Sequence, residues 1–210
     1  ARGFGFVTAE GEEEDIFIKN LYYDFNVTEE ILEKYGDEDN YLVARMKKAV
    51  GENRSKIGNV ITPEKGNEFT TDGVKVKILN NATFRAMANM PNDSSIVFKV
   101  ETPGKNILFL GDLGAYGDAL LKDEYFYNEI QDCEVVQLGH HGQSGVSDKF
   151  YQSLPAMKVA IYCAPEWLFD CNSGKGVGSG SWLTLRTREI MRVLKIRKTC
   201  SLKYGRAELG

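Results

Sequence analysis

Two short segments carry the residue types from which a metal site can be built. Asp112 stands behind the run NILFL (106–110) after one glycine. His140 and His141, the only two histidines of the chain, stand behind EVVQL (134–138), again after one glycine. A carboxylate can bridge two cations through its two oxygens, and an imidazole supplies one neutral nitrogen, so the set suits zinc, iron or manganese. Two histidines cannot make a three-histidine zinc site within one subunit, and catalytic metals generally take three or more protein ligands. On residue types alone this is an incomplete metal site. The plainer readings are a turn or cap residue for Asp112 and an ordinary loop for His-His-Gly.

The elements that must position these residues are legible in the pattern. NILFL and EVVQL are almost continuously apolar, as expected of strands buried on both faces. Two such strands, each ending in Gly and then a candidate ligand, deliver both to the rim of a sheet, where open α/β folds build sites. Upstream, 68–71 and 74–78 read as a hairpin about Asp72-Gly73, and SIVFKVE pairs with NILFL across a Pro103-Gly104 turn. A further strand is expected at 15–23. Helical patterns follow Thr28 and cover 42–50, with Leu42, Met46, Ala49 and Val50 on one face. Downstream, helices are expected at 119–130, 148–154 and 184–194, a strand at MKVAIYCA (157–164), and a closing hairpin at LKYGRAEL. DCNSGKGVGSGSW, rich in glycine and serine, reads as a loop. Hairpins first, then alternating strands and helices, predict sheet layers covered by helices in one α/β domain spanning 1–210.

Composition bounds the function. The 210 residues, 42% apolar and 27% charged, suffice for a hydrophobic core. A net charge of -4 argues against a broad surface for phosphate backbones. Arg192, Lys195, Arg197 and Lys198 form the one basic cluster, which solvation of a helix and its exit explains as well. Cys133, Cys163, Cys171 and Cys200 are neither dense nor paired as C-x-x-C, which fits reduced thiols and a cytoplasmic location. No apolar run reaches the roughly 18 residues of a membrane span.

NDSSIVFKV, NILFLGD, VVQLGHHGQSGVS and MKVAIY, in that order, resemble the C-terminal half of a metallo-beta-lactamase-fold hydrolase. The resemblance is to the branch that includes the hydrolase-like domain of DNA-uptake competence proteins, and it covers roughly 61–161. It implies a four-layer αβ/βα fold and two zinc ions. Asp112 would bridge them, His140 would be a late ligand, and His141 would contact the substrate oxyanion or support a ligand. A metal-held hydroxide would then attack an ester, amide or phosphodiester. The Asn92/Ser94/Ser95 segment matches a structural turn of the family, and Gln143 replaces its usual serine. The family's H-x-H-x-D-H signature and its third ligand histidine have no counterpart here. The chain is therefore expected to be either a fragment whose signature lies upstream of Ala1, as its RGFGF opening suggests, or a member that lost its metals and serves as a scaffold or interaction domain.

Other residues have narrower readings. Arg2, Phe4 and Phe6 with DIFI resemble the aromatic pattern of cold-shock nucleic-acid binders, but GEEEDI between them is acidic. Glu166 and Asp170 follow a strand and could act as acid or base, though surface carboxylates are the simpler account. Cys163 reads as a core thiol, and Lys175 does not fit a phosphate-binding loop.

Overall fold

In the computed structural model, residues 18–22, 48–71, 73–81, 92 and 94–204 are described. The helical pattern expected after Thr28 and the RGFGF opening lie outside them, and of the pattern expected over 42–50 only 48–50 is described, where the chain is helical. Nine strands are present among these residues. Strands β1 (Ile18–Tyr22) and β2 (Ile57–Ile61) form a two-stranded parallel ladder. The others, β3 (Glu68–Thr71), β4 (Val74–Ile78), β5 (Phe98–Glu101), β6 (Asn106–Phe109), β7 (Val135–Gln137), β8 (Val159–Tyr162) and β9 (Lys198–Ser201), pair in that order in one seven-stranded sheet. The sheet is mixed: β3 to β6 run antiparallel, whereas β6 to β9 are parallel. Among the described residues, besides helical residues 48–52, the helices that follow β6 are α1 (Gly117–Leu120), α2 (Glu124–Ile130), α3 (Asp148–Gln152), α4 (Glu166–Phe169) and α5 (Thr184–Val193).

Register explains the core. Leu108, Val136 and Ala160 fall opposite one another on β6, β7 and β8, and all three are fully buried. They join Phe126 and Ile130 of α2 and Phe150 of α3 in one apolar cluster, so this row faces the helices. Period-two alternation sends Ile107 and Phe109 to the other face, where Phe109 stacks on Phe98 with ring centroids 4.7 Å apart.

The antiparallel half solves the same packing problem with charge. Lys77 and Lys99 are register partners, and both reach Glu129 of α2, at 3.1 and 3.4 Å. Lys99, with a side chain only 4% exposed, also meets Asp132 at 2.8 Å and Glu101 at 3.3 Å. Burial alone would lower the Lys99 amine, but Asp132 and Glu101 outweigh it and hold its pKa above the usual value.

Three expectations are corrected. The helix expected over 119–130 is two, because the Asp123 carboxylate accepts from Phe126 N (3.1 Å) and restarts the chain as an N-cap. The closing hairpin is absent at its start: Leu202–Tyr204 is a 3-10 turn, and 205–210 lie outside the described residues. The last strand among the described residues is β9, in a stretch expected to be a helix exit. Lys198 and Thr199 are exposed there and Cys200 and Ser201 buried, a pattern too short and polar to announce a strand. The glycine-rich stretch is a loop as expected, organised by Asn172 Oδ1, which accepts from Gly174 N and Gly176 N at 2.8 and 3.0 Å.

Candidate metal centre

The chain leaves β6 through a tight turn closed by Leu113 N donating to Leu110 O at 3.1 Å. Gly111 takes φ +57 there, and a Cβ on it would come within 3.2 Å of Ser95. The positive φ favours glycine, and a side chain there would press on Ser95. The turn presents Asp112, whose amide donates to Ser95 Oγ at 3.1 Å.

The neighbouring strand β7 leads through Leu138 into a 3-10 turn, Gly139–Gly142. His140 and His141 both adopt left-handed backbone, φ 48 and φ 61, a conformation that costs about 1–2 kcal/mol per non-glycine residue. Two bonds hold the turn against this cost: His140 N donates to Gly111 O (3.1 Å), and Gln143 N to His140 O (3.0 Å). Because β6 and β7 are adjacent and parallel, Asp112 and the histidine pair arrive at the same sheet edge.

His141 is the residue set against Asp112. Its Nδ1 lies 2.8 Å from the carbonyl oxygen of Cys163, just beyond β8. A carbonyl only accepts, so Nδ1 carries the proton, and in the neutral ring Nε2 is left with a lone pair. That Nε2 is 3.3 Å from Asp112 Oδ1. Oδ1 is itself buried and accepts no hydrogen bond from the described residues. Two lone pairs therefore face each other and call for a positive species, either a proton or a metal ion. The spacing also suits a metal: two donors about 2.0–2.1 Å from a tetrahedral ion stand about 3.3–3.4 Å apart.

His140 points its ring elsewhere. Its two nitrogens lie 3.3 and 3.4 Å from Asn92 Nδ2, and Ser144 Oγ is 3.5 Å from Nδ1. Burial holds its pKa below the usual histidine value, although the Asp112 charge pulls the other way. The half-buried Cys163 thiol is pushed up by burial and then by Asp112; its engagement with the site is through the carbonyl. Glu166 and Asp170 both pair with Lys203, and Asp170 also meets Arg188 at 3.8 Å.

One buried polar residue of the site escaped the sequence reading. Gln137, in the middle of an apolar run, is 5% exposed. Its Oε1 accepts from Leu110 N and Gly111 N at 3.0 and 2.8 Å, and its Nε2 donates to Gly111 O at 3.2 Å and Leu138 O at 2.5 Å. A glutamine interrupting VV-L was the available signal.

Asp112 Oδ1 and His141 Nε2 are two facing donors for a cation. Among the described residues, no group of three or more His, Cys, Asp or Glu side chains is placed to hold a metal ion. No helix of the described residues is long and apolar enough to cross a membrane.

No family model matches the sequence, and neither does any curated protein. Among solved structures, the chain is similar to a protein from Thermotoga maritima named as a Zn-dependent hydrolase of the metallo-beta-lactamase superfamily. Identity is 24% and the TM-score 0.35, over 52% of this chain. The chain spans about half of that protein's length, 51%.

Proposed function

We propose that residues 1–210 belong to a single four-layer αβ/βα domain of metallo-beta-lactamase type that is catalytically inert on its own. In this reading it acts as a scaffold or interaction domain whose rim keeps a seat for one cation between Asp112 and His141. The observation that carries the reading is the buried Asp112 Oδ1 facing His141 Nε2, with no hydrogen-bond partner for that oxygen and no third donor among the described residues. The mixed seven-stranded sheet, with helices packed on one face, supports the fold.

A second reading has its own support in the orphaned carboxylate. Were further donors supplied to the same cation pair, the rim would serve a metal-dependent hydrolase of the type expected from the sequence. A bound metal would supply Lewis acidity and an acidified water. The part played by this chain's residues would be limited: Asp112 and His141 would hold the ion, and the Cys163 carbonyl would fix the His141 tautomer. Zinc is the best match to one carboxylate and one imidazole. Substrates would be an ester, amide or phosphodiester, with a nucleic acid disfavoured by the charge of -4.

The test is hydrolysis of p-nitrophenyl acetate and bis-p-nitrophenyl phosphate by the purified chain with added Zn²⁺ or Mn²⁺. The inert reading expects no turnover beyond the metal salt alone. Turnover that disappears in Asp112→Asn would overturn it in favour of the hydrolase.

A further inference from the structure

The structure assigns Gln137 a role as a positioning residue for the Asp112–His141 pair, a role that rests on the cation seat proposed above. Gln137 is the last residue of β7, and in register it faces Phe109, the last residue of β6. Its side chain lies in the plane where both strands end and takes over from the ladder beyond that point. The amide oxygen gathers two consecutive amides, Leu110 N and Gly111 N, and so caps the turn that delivers Asp112. The amide nitrogen spans to Gly111 O on one strand exit and Leu138 O on the other.

Gly111 O is the junction. It also accepts from His140 N at 3.1 Å, so one carbonyl ties the Asp112 turn, the histidine turn and Gln137 together. Every polar atom of the Gln137 amide is thereby used between the two segments that carry the donors, and nowhere else. A residue serving only to fill the core at this buried position would be apolar, since an amide here must be fully satisfied to be tolerated. Ser95 completes the arrangement from β5's entry, with its Oγ on Asp112 N. The inference is that the 3.3 Å separation of Asp112 Oδ1 and His141 Nε2 is set by Gln137 before any cation arrives.

With only two histidines, imidazole ¹⁵N NMR reads His141 directly in the metal-free protein, and a Zn²⁺ titration of the same samples gives affinity. The variants are Gln137→Met, similar in size and without the amide, and Gln137→Glu, which keeps the acceptor and loses the donor. Val136→Ala, on the same strand with its side chain toward the helices, is a control for lost stability. Both Gln137 variants should weaken Zn²⁺ binding by about 10–100-fold, the usual effect of removing such a support. They should also replace the single His141 Nδ1–H tautomer by a mixture. Val136→Ala should lower stability and keep both properties. Wild-type affinity and an unchanged tautomer in folded Gln137→Glu or Gln137→Met would overturn the assignment, as would an equal loss in Val136→Ala. If the wild-type chain binds no Zn²⁺, the cation seat itself fails, and the His141 tautomer in the variants still decides whether Gln137 positions the ring.

Discussion

The imidazole Nδ1 of His141 lies 2.8 Å from the main-chain carbonyl of Cys163, and this contact decides which ring nitrogen faces Asp112. The partner is a backbone atom, so the side chain of residue 163 is dispensable to it. Cys163→Ala is therefore expected to keep Zn²⁺ affinity within about threefold of wild type, well short of the loss that follows removal of a metal support. A loss beyond about tenfold in the same titration would show the thiol to be a ligand.

Asp112→Asn separates stability from binding. In the metal-free chain, Asp112 Oδ1 is buried, has no hydrogen-bond partner among the described residues and stands 3.3 Å from His141 Nε2. An asparagine amide there donates to His141 Nε2 and removes the conflict. Urea denaturation without metal should show the variant more stable by about 1 kcal/mol, while Zn²⁺ no longer stabilises it. A variant less stable than wild type without metal would mean that the carboxylate is already satisfied.

Glu101 makes the charged half of the sheet sensitive to acid. Burial by itself would raise the Glu101 carboxyl, but Lys77 and Lys99 more than offset this and hold it below the usual value. A depressed carboxylate contributes stability that is present above the unfolded pKa, near 4.5, and is lost as pH falls through the folded one. Glu101→Gln should thus be less stable than wild type by about 1–2 kcal/mol at pH 7, with the difference closing on acidification below that pKa. A difference that persists unchanged at low pH would assign the effect to packing.

Much of the architecture was legible because it is written in apolar periodicity. NILFL and EVVQL predicted buried strands ending at the rim of a sheet, and β6 and β7 are parallel neighbours that bring Asp112 and the histidines to one edge. What the sequence concealed depended on single polar atoms. The break at Asp123 depends on a side chain competing for Phe126 N, and β9 is held by pairing with β8 rather than by its own pattern. Within the candidate site, the resemblance implies His140 as a ligand and His141 as its neighbour in support. The left-handed turn sets His141 Nε2 3.3 Å from Asp112 and brings the His140 ring to Asn92. Consecutive positive φ angles at two histidines have no signature in residue type.

Isothermal titration of the metal-free chain with Zn²⁺, beside Asp112→Asn, His141→Ala and His140→Ala, is the most direct test of the central claim. The account predicts one ion per chain, binding abolished in the first two variants and kept within about threefold in the third, as for a residue that is not a ligand. Two ions per chain, or binding that survives His141→Ala and fails in His140→Ala, would contradict it.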